Sequence, residues 1–195
     1  MDLLDQDFIQ PRKLLEVRWI ASKEAAIRAI IRDYNGLVLD IGEAVTLTAE
    51  GGPLKARLAN LYNFITLTQY LLTLHFLQDL LAELSKLSAR FQREDYRVFA
   101  LHDTLEEFVR VLNSCGHNES PSITALKDRI KFQHGLVFFQ ERLETIGTPV
   151  NDYNGKSFTA FRKESVDLLQ NVLIFFNLRF PETETTRHFR VFQLK

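Results

Sequence analysis

The chain has 195 residues, 46% hydrophobic and 25% charged, which is enough to bury a real core and too apolar for a disordered polymer. Its 24 Lys and Arg nearly balance 25 Asp and Glu, a net charge of -1, so no global field is available to hold nucleic acid and a binder would need a local patch. With 8 Gly and 5 Pro the chain has too few turn residues for an all-β sandwich of this length, and the composition points to helices.

The single cysteine, Cys115, excludes an internal disulfide framework and suits a reducing compartment, the cytoplasm or the nucleus. Met1 to Gln10 contains three Asp and no basic residue, unlike a secretory leader. The longest window without charge, Leu58 to Gln78, is interrupted by Asn60, Asn63, Thr66, Thr68, Gln69, Thr73 and His75. It reads as a buried helix and not as a membrane span.

From Pro11, the residues Leu14, Leu15, Val17, Trp19 and Ile20 fit a short strand. Ser22 is a plausible N-cap for a helix through Ala25 to Ile31 that runs towards Asn35-Gly36. A second helix, Leu37 to Thr46, is expected to pair with it as a hairpin and to stop before Gly51-Gly52-Pro53. Pro53 then suits a first helical turn, and apolar residues recur at helical spacing from Leu54, Leu58, Leu61 and Ile65 to Leu72, Phe76, Leu80, Leu84, Leu87 and Phe91. A straight helix of that length would approach about 60 Å at 1.5 Å per residue, so a break is expected, most plausibly near Asn63.

Another amphipathic helix carries Val98, Leu101, Leu105, Phe108, Val109 and Leu112 on one face and ends around Cys115 to Asn118. Ser120-Pro121 restarts the chain, and helix-like periodicity covers Ile123 to about Gln133. Leu136 to Phe139 fits helix or strand, 148–156 is a loop, and a last helix runs from about Ser157 to Leu178 before Pro181. Phe189 to Phe192 alternates like a short strand or an extended tail. The fold expected is mainly α: one domain over 1–195, a multi-helix bundle with one long central helix and short extended segments at both ends.

No chemistry-bearing constellation emerges. The five His (75, 102, 117, 134 and 188) are scattered, and Cys115-x-His117 matches no strong zinc spacing, so no metal site and no cofactor are expected. His75 reads as a hydrogen-bonded core or helix-surface residue. There is no nucleophile elbow, Gly51-Gly52-Pro53 is no phosphate loop, and Glu106-Glu107 and Glu182/Glu184 read as solvated residues. One pair stands apart: Arg18-Trp19 sets a guanidinium beside the only Trp of the chain, a combination able to stack on a base or grip a phosphate. With Lys23 and Arg28 it makes a candidate nucleic-acid-binding set, extended by Arg12, Lys13 and Arg32 and diluted by Glu16, Glu24 and Asp33. The competing reading is that Trp19 only anchors the first segment to the core.

The run Val17-Arg18-Trp19-Ile20-Ala21-Ser22, then Leu37-Val38-Leu39, then Tyr70 to Leu81, Leu84-Ser85-Lys86-Leu87-Ser88 and Phe91-Gln92 resembles the C-terminal half of domesticated hAT-superfamily transposases, in particular the zinc-finger, hAT-like proteins. Leu178-Arg179-Phe180-Pro181 and Phe189-Arg190-Val191-Phe192 resemble the segment where those proteins leave their helical region. The resemblance implies a large helical insertion within an RNase H-like core, with 11–20 and 188–195 as remnants of that core. Active members use an Asp-Asp-Glu triad on divalent metal and a Trp that stacks on a flipped base. Only Arg18 and Trp19 carry over here, because the Asp residues would fall before Met1 and the Glu after Lys195. A chain with no catalytic site is therefore expected, not an enzyme, acting in protein association with a partner or a second copy. A residual nucleic-acid binder using Arg18 and Trp19, and an unrelated cytosolic helical bundle with ligand space between helices, are the alternatives. No membrane partner is expected.

Overall fold

The computed structural model describes residues 11–49, 52–93, 100–117, 120–140 and 147–179. Along them run α1 (Pro11–Arg32), α2 (Tyr34–Leu47), α3 (Pro53–Ile65), α4 (Thr68–Phe91), α5 (Leu101–His117), α6 (Pro121–Asp128), β1 (Ile130–Gln133), β2 (Leu136–Phe139), β3 (Thr148–Pro149) and α7 (Gly155–Arg179). The architecture is mainly helical, with a small antiparallel sheet in the order β1-β2-β3.

Helix α4 is the spine. Its 3.6-residue apolar spacing buries Leu71, Leu72, Leu74, Phe76, Leu80 and Leu87. α1, α6 and α7 pack along it, and α5 bridges to α7. Each fully buried Leu or Phe contributes about 2 kcal/mol of transfer free energy, so this one helix anchors the core. Aromatic side chains knit the neighbours: Phe76 meets Phe161 of α7 edge-on with centroids 5.9 Å apart, and Phe108 of α5 meets Phe176 at 5.0 Å.

Segment 11–20, expected as a strand, is instead the first half of α1. The expected hairpin of the first two helices does not form either. Backbone bonds continue across the single turn residue between them, Asp33 N–H to the Ala29 carbonyl and Leu37 N–H to the Asp33 carbonyl, both 3.0 Å. Asn35-Gly36 is consequently inside α2 and ends nothing. α1 goes on to lie along α4, and α2 lies along α3. The pairing of α2 with α3 is close: a Cβ on Gly42 would sit 3.1 Å from the Tyr62 ring.

Residues 130–133, expected as helix, form β1. His134 and Gly135 both take positive φ, 50° and 78°, the two-residue connection that matches strand twist. It sets Gln133 opposite Leu136 and Ile130 opposite Phe139. Leu136–Phe139 is thus strand, and 148–149, expected as loop, adds a short edge strand on β2. The strand expected at 189–192 and the segment 188–195 lie outside the described residues, as does Val98.

Two helix starts are capped by side chains. Asn154 Oδ1 accepts the N–H groups of Lys156 (3.0 Å) and Ser157 (3.1 Å) at the head of α7. At α6 the cap comes from another helix: the Asp79 carboxylate of α4 accepts Ser122 N–H at 3.0 Å and the Ser122 hydroxyl at 2.6 Å.

Candidate functional site

The basic residues and the Trp singled out in the N-terminal segment all lie on α1, whose backbone places Arg18 and Trp19 in mid-helix; the side chains of those two are outside the described set. Lys23 and Arg28 are both exposed. At 100° per residue, five positions put them about 140° apart around the helix, on different faces of α1. The acidic residues do more than dilute the set. Arg28 is ion-paired with Glu24 one turn earlier, and Arg32 holds Asp33 through two bonds of 2.9 and 2.8 Å, which keeps the Asp33 carboxyl below its ordinary range. Ala21, Ala25 and Ala29 with Gln78 of α4 line an open groove of about 590 Å³ between α1 and α4, rimmed by these paired charges.

Among the described residues no three His, Cys, Asp or Glu side chains converge as a metal site. His75 is 4% exposed and belongs to the core. Its Nδ1–H donates to the Leu71 carbonyl at 2.8 Å, which fixes the tautomer, and burial pushes its pKa down, so the ring is neutral. Cys115 is half-buried, and burial pushes its thiol up, away from the thiolate that a nucleophile requires. Glu107 is lowered by its bond to Arg90, at 2.6 Å, a pair that ties α4 to α5 on the surface.

What the fold leaves conspicuous is apolar surface. The stripe that runs unbroken in the sequence divides at the α3–α4 junction. Beyond it the stripe is core; before it, Leu54, Leu61 and Phe64 are 59%, 44% and 55% exposed. α3 turns its Tyr62 side to α2, and on the other side Leu54 and Leu61 stay exposed, Leu58 is half-buried and the Phe64 ring meets Tyr70 of α4 edge-on at 5.1 Å. α7 carries a second uncovered strip at Ile174, Phe175 and Leu178, on the side away from its buried Phe161, Leu169 and Phe176.

The division is made by residues that sequence reasoning does not single out. Rather than near Asn63, the helix breaks at Thr66-Leu67. There Asn151, from the loop before α7, inserts. Its N–H donates to the Thr66 carbonyl at 2.8 Å and its Nδ2 to the Thr66 hydroxyl at 2.8 Å. Its own carbonyl accepts the Thr68 N–H at 2.9 Å and the Thr68 hydroxyl at 2.8 Å. From the other side the buried Tyr34 hydroxyl donates to the Ile65 carbonyl at 2.8 Å, and Thr148 donates to Asn35 Oδ1 at 2.9 Å. The Ile65 and Thr66 carbonyls and the Leu67 and Thr68 N–H groups at the break thereby find partners.

Compared with known proteins, the chain matches no family model, no curated protein and no solved structure. The geometry alone must then carry a functional reading. It offers a spine-and-bundle body, α2 and α3 joined to it through the break that Asn151 holds, and apolar strips on α3 and α7 open to solvent. Such a surface can bind another apolar surface.

Proposed function

We propose that the chain is a non-catalytic helical module that works by protein association, descended from the helical insertion of hAT-type transposases. The observation that carries the association reading is the exposure of Leu54, Leu61 and Phe64 on one side of α3. Contiguous apolar surface of this kind marks interaction sites on folded proteins. Kinship with the transposases rests on the segments around Arg18-Trp19 and Leu84 to Gln92 and on the mainly helical architecture those proteins lead one to expect. No described helix is long and apolar enough to cross a membrane; we place the module in the nucleus or the cytoplasm, in keeping with its single thiol.

The test is hydrophobic-dye fluorescence under native conditions. The unsubstituted protein should bind dye, and Leu54→Glu with Leu61→Glu should remove most of the signal while the circular dichroism stays unchanged. Equal dye binding by the two proteins would remove α3 as the site.

A further inference from the structure

The junction between α3 and α4 is two residues long and contains neither Gly nor Pro. Thr66 has φ −85° and ψ −2°, on the helical side, and Leu67 has φ −67°; only the Leu67 ψ of 138° departs clearly from a helix. Rotation about that one bond, with a small adjustment at Thr66, runs α3 straight into α4. The apolar spacing is already in register for it, with Ile65 followed by Leu72 and Phe76. Asn151, from the far side of the chain, holds the junction bent, together with local bonds from the Thr66 hydroxyl to the Tyr62 and Asn63 carbonyls and from Leu67 N–H to the Phe64 carbonyl.

Straightening gives the helix groups at the junction new partners within the helix. A continuous helix offers the carbonyls of Phe64, Ile65 and Thr66 to the N–H groups of Thr68, Gln69 and Tyr70, in place of the bonds to Asn151 and Tyr34.

We propose that two copies of this chain exchange their α1–α3 arms, with Thr66-Leu67 as the hinge that straightens into one helix from Pro53 to Phe91. This rests on the association reading and names the partner as a second copy. An exchanged arm rebuilds between chains the contacts it makes within one chain, α1 along α4 and Asn35 to Thr148, so the dimer needs no new recognition surface for them.

The test compares the full chain with Thr66→Ala/Thr68→Ala. This change removes the hydroxyl bonds to Asn151 and raises helix propensity at the hinge. After refolding at high concentration, light scattering should show the dimer-to-monomer ratio rise at least tenfold in the variant. Spin labels at exposed positions 56 and 89, introduced by Ala56→Cys and Ala89→Cys in a Cys115→Ser chain and diluted with unlabelled protein, read the hinge directly. A straight helix sets them about 50 Å apart at 1.5 Å per residue. Dimers with that distance support the exchange. Dimers with only a shorter distance overturn it and leave association standing. Monomers at every concentration, in both chains, overturn it as well; if those monomers bind hydrophobic dye at α3, the association reading survives with a different partner, and if they do not, both fail.

Discussion

Asn151 reaches Thr66 twice, through its backbone N–H to the carbonyl and through its side-chain amide to the hydroxyl, each at 2.8 Å. These contacts span 85 positions of sequence and decide where the apolar stripe stops being core and becomes surface. Asn151→Ala removes only the side-chain bond. A loss of about 1 kcal/mol is expected for one neutral hydrogen bond at a partly buried site, read as a lower urea midpoint with an unchanged m-value.

Asp79 caps a helix that is not its own. Asp79→Ala leaves the Ser122 N–H and hydroxyl without their carboxylate, and the start of α6 has no other side-chain cap. The expected cost is about 1–2 kcal/mol, the upper part of the range for a lost N-cap because the bonds are charge-assisted. Asp79→Asn should restore part of it.

Gly147 is sterically required. A Cβ there would stand 2.9 Å from Phe138 Cβ, an atom fixed to the β2 backbone and unable to swing away. Gly147→Ala is expected to cost about 1–3 kcal/mol as overpacking, whereas Gly36→Ala, whose Cβ meets nothing within 4 Å, should be neutral or slightly stabilising. Thermal melts of the two variants check the contrast.

The His75 pKa is lowered from 6.5 in the folded protein, first by burial, with the bond to Leu71 and the nearby Asp79 opposing and Arg129 adding to the fall. Below pH 6.5 the unfolded chain therefore binds more protons than the folded one at this site. Stability should fall as pH drops from about 6.5 towards the folded value, with a slope of at most about 1.4 kcal/mol per pH unit for one proton. His75→Leu should flatten that part of the profile. Asp33 and Glu107, lowered by Arg32 and Arg90, act in the same direction further into acid, as pH falls through the carboxylate range.

α4 was legible because Leu72, Phe76, Leu80 and Leu87 fall at helical spacing and are in fact buried. The same spacing misleads at α3, where Leu54 and Leu61 have the pattern of a core face without an element to cover it; a periodic stripe reports that a face is apolar, not that something lies against it. Segment 11–20 gives no helical signal, because Leu14, Leu15, Val17, Trp19 and Ile20 are crowded without a clear period. β1 was absorbed into a helix because its hairpin turns on His134-Gly135 and not on the more telling Asn-Gly. The place of the break, at Thr66-Leu67 and not near Asn63, is hidden in the sequence because Asn151, which inserts there, is 85 positions away. Of the candidate nucleic-acid residues, Lys23 and Arg28 are exposed, but their divergence around α1 and the pairing of Arg28 with Glu24 follow only from the helix that carries them.

Light scattering of the purified chain over a wide concentration range, alongside Leu61→Glu, tests the association reading most directly. The mass should rise with concentration towards a dimer, and the midpoint for Leu61→Glu should lie at least tenfold higher, the shift that loss of about 1.4 kcal/mol of association energy would give. A mass that stays monomeric throughout, in a protein that also binds no hydrophobic dye, would contradict it.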